Sequence, residues 1–314
     1  MIRLSHCILA FAVLPVWMAL AADPPCNIPR KVYAHIDMSM DTEGSVVIPV
    51  TIGGKQMQMV VDTGGVVSML TTRDEDALGL GRRAIGGSSL QIYGKIRVKS
   101  YVHAPDMIIG RSELPAFDIM TIPDGLMPLD DDGIIAPDLL SVFDADFDFA
   151  KGKFSLFSQD HCPGMAAYWT DAPAKIPIRI TKLNQIVLTL QLDGQDVLAT
   201  IDTGSTNSEM SLEAAEKLFS FDLQSPLLKR DANDHRFTSY HYPFKTLDMQ
   251  GVSVSNPDLT LISDDESGME TSSSYWSVEN STPKIILGMN ILRHLHLFIA
   301  YREKILYVTS AEAH

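Results

Sequence analysis

The chain carries the same local pattern twice, with the two copies 140 residues apart. In the first copy, a β-branched run at 46–52 and an apolar run at 57–61 lead into Asp62-Thr63-Gly64. In the second copy, residues 186–201 repeat this design and lead into Asp202-Thr203-Gly204. Runs of this kind, separated by glycine-containing turns, are typical of β-hairpins. The repeat therefore predicts two similar β-rich units, each with an aspartate at the end of an apolar strand.

A second repeated block closes each copy. An apolar stretch at 133–140 precedes a strand–turn–strand pattern at 143–157. The stretches 285–292 and 296–308 have the same character near the C-terminus. The order of features is thus the same in both halves of the chain, as a duplicated unit requires.

These repeats set the predicted domain organisation, which is a mostly β protein with two pseudo-symmetric lobes. We expect an N-terminal lobe at 26–160, a linker at 161–175 that contains two prolines, and a C-terminal lobe at 176–314. The clearest predicted helix covers 212–219, with Ser211 as its N-cap.

Composition excludes several classes of function. The chain has 314 residues and a net charge of −14, which argues against nucleic-acid binding because phosphate backbones attract Lys and Arg. Three cysteines exclude a four-cysteine zinc or iron–sulfur site. His294 and His296 are interpreted as exposed strand residues, since no carboxylate or cysteine lies at ligand spacing nearby. We predict neither a metal nor an organic cofactor.

Residues 1–21 resemble a cleaved secretory signal peptide. Arg3 is followed by an apolar stretch, and Ala19-Leu20-Ala21 places small residues two apart, as a signal peptidase requires. The alternative is an uncleaved membrane anchor, although His6 and Pro15 interrupt the apolar run. The sequence therefore predicts export to a periplasmic or extracellular compartment, with membrane attachment only if this segment is retained.

Cleavage would leave two cysteines, Cys26 and Cys162, in an oxidising compartment where they could form a disulfide. Such a bridge would join the two ends of the first predicted lobe. The alternative is two free thiols.

The paired Asp-Thr-Gly motifs resemble those of aspartic peptidases, specifically the retropepsin-like group, fused as two lobes in one chain as in pepsin. The resemblance extends from about residue 46 to residue 308 and includes both closing blocks. It implies two retropepsin-like β-barrel lobes with a cleft between them, in which Asp62 and Asp202 are catalytic. An extended polypeptide would be the substrate of what we expect to be a monomer.

Elementary electrostatics explains why such chemistry needs two carboxylates. At about 3 Å and an effective dielectric of 20 they would repel by about 5 kcal/mol if both were ionised, so they share one proton. The ionised member can act as a general base on water, while the protonated member hydrogen-bonds the scissile carbonyl. Gly64 and Gly204 would permit the tight turns that expose these side chains.

The resemblance assigns supporting roles to other residues. Thr63 and Thr203 would cross-link the two loops by hydrogen bonds to the opposite lobe; the alternative is that they only fill the turns. Ile85-Gly86-Gly87 lies where the family carries a flap tip, a mobile hairpin end that contacts substrate. The equivalent position in the second lobe, 225–227, has no glycine pair, which predicts one flap.

Two positions depart from the family pattern. Gly65 replaces the usual Ala, Ser or Thr, whereas the second motif keeps Ser205, so we expect Asp202 to receive a side-chain hydrogen bond that Asp62 lacks. Ala136 stands where the family has Gly, and its methyl group is expected to crowd the loop behind Asp62.

These departures keep a second function open: a protease-like module that binds extended peptides and cleaves them weakly or not at all. A glycosidase is a third possibility, but its carboxylates would need to lie roughly 5–9.5 Å apart, which the paired turns disfavour.

Overall fold

A computed structural model describes residues 31–86, 89–92, 96–125, 131–182, 184–232, 237–267 and 282–311. The described chain is mostly β, which confirms the predicted fold class. None of the helices in these ranges is long and apolar enough to cross a membrane. The predicted signal at 1–21 lies outside the described residues, so both interpretations of it stay predictions.

The first half of the chain builds a closed barrel. Six strands pair in a ring, β3-β4-β11-β5-β10-β9, and the ring closes where Thr51 on β3 lies opposite Ile108 on β9. The strands are β1 (Val32–Asp37), β2 (Ser39–Met40), β3 (Val46–Ile52), β4 (Lys55–Val61), β5 (Met69–Thr71), β6 (Arg83–Ala84), β7 (Leu90–Gln91), β8 (Arg97–Val98), β9 (Ser100–Ile109), β10 (Ser112–Ile122), β11 (Gly133–Ile135), β12 (Asp144–Asp148) and β13 (Lys153–Phe157), and the helices are α1 (Thr72–Ala77) and α2 (Pro137–Leu140).

The second half repeats this strand order. Here β16, β17, β24, β18, β23 and β20 correspond to the six barrel strands of the first half, and the long hairpin is interrupted between β20 and β21. The strands are β14 (Ala174–Pro177), β15 (Arg179–Ile180), β16 (Ile186–Leu192), β17 (Gln195–Ile201), β18 (Glu209–Ser211), β19 (Lys229–Arg230), β20 (Ser239–His241), β21 (Thr246–Met249), β22 (Val252–Ser255), β23 (Thr260–Ile262), β24 (Ile285–Leu287), β25 (Leu295–Ala300) and β26 (Ile305–Ser310), and the helices are α3 (Leu212–Phe219), α4 (Asp264–Ser267) and α5 (Met289–Leu292).

We call residues 39–135 the first lobe and 179–287 the second lobe. A sheet of six strands, β1-β13-β12-β25-β26-β14, takes three strands from each half of the chain and joins the two lobes. At its centre β12 pairs antiparallel with β25, with Asp146 opposite Phe298. The order of this sheet is symmetric about that central pair, as expected for a pseudo-twofold relation between the halves.

The predicted linker, 161–175, packs over one face of this joining sheet. Ala166 and Trp169 contribute to an apolar cluster with Phe298 and Tyr307. Cys162 is disulfide-bonded. Its predicted partner, Cys26, lies outside the described residues, so that pairing stays a prediction.

The interpretation of both C-terminal histidines as exposed is wrong for His296, which is 2% exposed. Its Nε2 lies 2.8 Å from Asp146 Oδ1, and its ring stacks on Trp169 with the ring centres 3.7 Å apart. His294 is exposed, as predicted. The sequence showed the strand but not the linker that covers it.

Candidate active site

Two equivalent strands bring Asp62 and Asp202 to the boundary between the lobes. Met59 and Val61 on β4 point into the main core, whereas Val60 between them joins a second apolar cluster, so the strand is covered on both faces. The Asp62 amide then donates to the carbonyl of Ile135 at 2.9 Å. In the second lobe the Asp202 amide makes the same contact with Leu287, also at 2.9 Å. Each aspartate is therefore held by the closing block of its own lobe.

Thr63 and Thr203 cross-link the two loops. The Thr63 hydroxyl donates to the Ile201 carbonyl at 2.9 Å and accepts from the Thr203 amide at 3.1 Å. In return the Thr203 hydroxyl donates to the Val61 carbonyl and accepts from the Thr63 amide at 3.2 Å. Both threonines are fully buried. These side chains thus bond to the opposite lobe and do more than fill turns.

The two glycines of the motifs lie against the opposite aspartates. A Cβ added to Gly64 would lie 2.4 Å from Asp202 Cγ, and one added to Gly204 would lie 2.8 Å from Asp62 Cγ. No real side chain tolerates such contacts, so only glycine fits at these positions. The Asp62 and Asp202 carboxyl groups hydrogen-bond to each other across this interface. The structure therefore brings the two predicted catalytic carboxylates together.

The two carboxyl groups differ electrostatically. Burial raises the pKa of Asp62, while hydrogen bonds from Asp202 and from the amides of Gly65 and Gly64 oppose that rise. Burial also raises the pKa of Asp202 well above its ordinary value, and the nearby charge of Asp62 adds to the effect. When the pair holds one proton, the two amide donors to Asp62, against one to Asp202, favour the charge on Asp62.

The backbone explains this asymmetry. Asp62 Oδ1 accepts from two amides, Gly64 at 3.0 Å and Gly65 at 2.6 Å. Among the described residues, one backbone amide, that of Gly204 at 2.9 Å, donates to the Asp202 side chain. Amide donors stabilise the ionised form of a carboxyl group, so Asp62, which accepts from two amides, ionises before Asp202.

This outcome reverses one sequence expectation. Ser205 does not bond to the Asp202 carboxyl: its hydroxyl donates to the Asn207 carbonyl at 2.9 Å, and its amide donates to the Asp202 main-chain carbonyl at 3.3 Å. The expected extra hydrogen bond to Asp202 is absent from this described loop. Because the Ser205 hydroxyl bonds within its own turn, Asp62 and not Asp202 accepts the larger number of hydrogen bonds from its loop.

Ala136, the second departure from the family pattern, does not crowd the loop behind Asp62 as the sequence predicts. A Cβ added to Gly65 would lie 2.6 Å from Asp62 Oδ2 and 3.2 Å from the Ala136 methyl group. In the second lobe, a Cβ added to Gly288 would lie 2.2 Å from the Asn207 carbonyl oxygen, so the loop backbone requires glycine at position 288. Gly65 leaves room for Ala136, so the Ala136 methyl group is accommodated rather than crowding the loop.

In each lobe the hydrogen bonds of one serine hydroxyl join the closing block to the aspartate loop. The Ser68 hydroxyl donates to Asp138 Oδ1 at 2.7 Å and accepts from the Ala136 amide at 2.9 Å. Ser208 and Asn290 form the same arrangement in the second lobe, at 2.7 Å. Sequence reasoning missed these residues, although Ser68 and Ser208 have the same 140-residue spacing as the aspartates.

The segment predicted as a flap tip lies in a hairpin, but on its side and not at its tip. Ile85 lies on the side of the hairpin, where its amide donates to the Lys99 carbonyl at 2.9 Å. The hairpin continues through β7 and β8 to a pair between Ile92 and Ile96, and residues 93–95 between them lie outside the described residues. Gly86 is exposed beside this strand, and Gly87 lies outside the described residues.

Apolar side chains dock this hairpin above the Asp62 loop. Val98 is fully buried in the second apolar cluster together with Leu90, Ile92, Val67 and Ala136. Two of these, Val67 and Ala136, flank the Asp62 loop. The second lobe also carries a hairpin at the corresponding place, formed by β19 and β20, although its sequence lacks the glycine pair.

The described ranges contain no group of three or more His, Cys, Asp or Glu residues that could hold a metal ion.

Comparison with known families agrees with this geometry. Residues 48–138 match the family model described as aspartyl protease. The matched segment contains Asp62-Thr63-Gly64 and the first closing block, and it confirms the resemblance to retropepsin-like proteases for this part of the chain. A search of curated proteins returns no match.

Proposed function

We propose that this chain is an aspartic endopeptidase that hydrolyses peptide bonds in extended polypeptides, since residues 48–138 match the family model described as aspartyl protease. The observation that carries the proposal is the contact between Asp62 and Asp202, whose carboxyl groups share a hydrogen bond at the lobe boundary. That contact brings together residues from two matched motifs 140 positions apart.

The proposed mechanism uses the asymmetry of the pair. Ionised Asp62 accepts a proton from a water molecule as the water oxygen bonds to the carbonyl carbon of the substrate. Protonated Asp202 donates a hydrogen bond, and then its proton, to the carbonyl oxygen, which would otherwise become an oxyanion. The resulting diol collapses when the proton held by Asp62 passes to the leaving nitrogen and the C–N bond breaks. One diol hydroxyl returns its proton to Asp202, which restores the starting state.

We further propose that the protein is exported. The support is the pattern of residues 1–21 and the disulfide at Cys162, since disulfides persist in oxidising compartments. A monomer suffices for this chemistry, because one chain supplies both aspartates.

The peptide-binding alternative depended on Gly65 and Ala136 as signs of a damaged site. These residues are sterically matched, and the contact with Asp62 Oδ1 that Gly65 makes supports an ionised Asp62. Turnover is therefore the better-supported function.

The test is incubation of the purified protein with an unfolded polypeptide from about pH 3 to about pH 7, with mass spectrometry of the products. Asp62→Asn and Asp202→Asn should each abolish cleavage while the protein stays folded. Asp118→Asn is a matched control, because that side chain is 60% exposed and bonds to His103. Cleavage that survives either active-site substitution rejects the proposed pair, and binding without cleavage by the unmodified protein favours the alternative.

A further inference from the structure

Each lobe begins with a tight turn just before the hairpin that ends in its aspartate. In the first lobe the turn covers residues 41–45. The Asp41 amide donates to the Ser45 carbonyl at 3.1 Å, and the Ser45 amide donates to Asp41 Oδ1 at 2.8 Å. Gly44 adopts a φ of +87°, which glycine accommodates without strain. The turn therefore fixes the backbone of Ser45.

The second lobe repeats this turn at residues 181–185, of which 183 lies outside the described residues. The Thr181 amide donates to the Gln185 carbonyl at 3.0 Å, and the Gln185 amide donates to the Thr181 hydroxyl at 3.1 Å. Asn184 adopts a φ of +61°, at the place of Gly44 in the first turn. The two turns have the same 140-residue spacing as the two aspartates.

The side chain of the last residue in each turn donates a hydrogen bond to the aspartate loop of the other lobe. Gln185 Nε2 donates to the Gly64 carbonyl at 2.6 Å, and Gln185 is 7% exposed. In the opposite direction the Ser45 hydroxyl donates to the Gly204 carbonyl at 3.3 Å, and Ser45 is 5% exposed. Each aspartate loop thus receives a buried side-chain donor from the lobe to which it does not belong.

These two hydrogen bonds between the lobes, which we call the crossings, differ in what the second end of the contacted peptide group bonds to. The Gly64 carbonyl and the Gly65 amide belong to one peptide group, and that amide donates to Asp62 Oδ1 at 2.6 Å. Gln185 therefore bonds to one end of a peptide whose other end bonds to a carboxylate, and hydrogen bonds in such a chain polarise one another. The peptide that Ser45 contacts ends at the Ser205 amide, which donates to the Asp202 main-chain carbonyl. Only the first crossing leads to a carboxylate.

We propose that Gln185 is a positioning residue that orients the 64–65 peptide and so makes Asp62 the ionised member of the pair. The effect on catalysis rests on the proposed peptidase function. The effect on ionisation does not, and it can be measured without substrate. The contact comes from the second lobe, so it also couples the ionisation of Asp62 to correct packing of the two lobes.

The variant Gln185→Met tests this inference, because methionine has a similar length but no donor. We expect kcat to fall about tenfold or more with little change in KM, since the lost contact acts on the reacting group. We also expect the acidic limb of the kcat–pH profile to move upward by about half a pH unit, because a carboxylate that loses amide support ionises less readily.

Ser45→Ala is the matched control in the other lobe and should leave the acidic limb in place. Equal movement of that limb in both variants overturns the assignment. Unchanged kcat and an unchanged pH profile in Gln185→Met, with only a lower melting temperature, show a merely structural role and also overturn it. If Gln185→Met does not fold, Gln185→Asn, which is one methylene shorter, should show the same movement.

An NMR titration of ¹³C-labelled aspartate carboxyl groups separates this inference from the proposed function. The lower titration of the pair should rise in Gln185→Met whether or not the protein cleaves peptides. A protein without peptidase activity that shows this rise refutes the proposed function and supports the positioning role. An unchanged lower titration refutes the positioning role even in an active peptidase.

Discussion

The methyl group of Ala136 occupies the space beside Gly65 that a larger residue at 65 would need. A Cβ at position 65 would lie 3.2 Å from that methyl group and 2.6 Å from Asp62 Oδ2. The two departures from the family pattern in the first lobe therefore compensate for each other.

We predict that Gly65→Ser lowers kcat about tenfold or more, because the new side chain displaces the Asp62 carboxyl or the 64–65 peptide that supports it. Ala136→Gly in the same chain should restore part of the loss, since it lets the loop move back. Residues in contact commonly show coupling of about 0.5–3 kcal/mol, which a double-mutant cycle on kcat/KM would detect. Additive effects of the two substitutions would contradict the steric pairing.

Asp202→Asn should stabilise the protein at neutral pH while it abolishes activity. The pKa of Asp202 is raised in the folded state, mainly by burial, so the folded state retains a proton that the unfolded state has lost. Stability is then fully present below the ordinary carboxyl pKa of 3.8 and falls as pH rises towards the folded value, by at most about 1.4 kcal/mol per pH unit. Asparagine mimics the neutral acid and removes this loss. Urea denaturation at about pH 3.5 and about pH 7 should show a gain only at the higher pH.

The pH dependence of cleavage should be bell-shaped, with both limbs above the ordinary carboxyl range. Burial raises the pKa of both Asp62 and Asp202, and the active state holds one proton between them. Activity should rise as the pair loses its first proton and fall as it loses the second. Steady-state kcat measured with one peptide across pH is the test, and full activity below pH 3.8 would contradict it.

Thr63→Val should lower the free energy of unfolding by about 1–3 kcal/mol and reduce kcat. The substitution keeps the shape of the side chain but removes the hydroxyl that donates to Ile201 and accepts from the Thr203 amide. Both partners are then left unpaired in a buried interface between the lobes. Thr206→Val is the comparison, because that hydroxyl donates to Glu43 at an exposed edge. Equal losses of stability in the two variants would show that the buried hydrogen bonds of Thr63 stabilise the protein no more than the exposed one of Thr206.

Much of this site could be predicted because it depends on local pattern. An apolar strand followed by Asp-Thr-Gly predicts an aspartate at a strand end, and its recurrence after 140 residues predicts the partner. The helix at Leu212–Phe219, with its cap at Ser211, likewise follows from neighbouring residues.

The errors concern contacts between distant parts of the chain. The sequence predicts an exposed His296 because no carboxylate or cysteine lies at ligand spacing nearby, whereas Trp169 in the linker stacks on its ring. The resemblance predicts a flap tip at the glycine pair, but the pairing of Ile85 with Lys99 makes that segment the side of a longer hairpin.

The sequence alone determined that two equivalent aspartates would end two equivalent strands, because strand periodicity and turn chemistry act over a few residues. Only the tertiary structure decided which of them carries the charge. That choice depends on ångström-scale contacts, from Gly65 and across the lobe boundary from Gln185, and hydrogen-bond energies change steeply over such distances. A repeat in sequence is symmetric, whereas the packing of its two copies against each other is not.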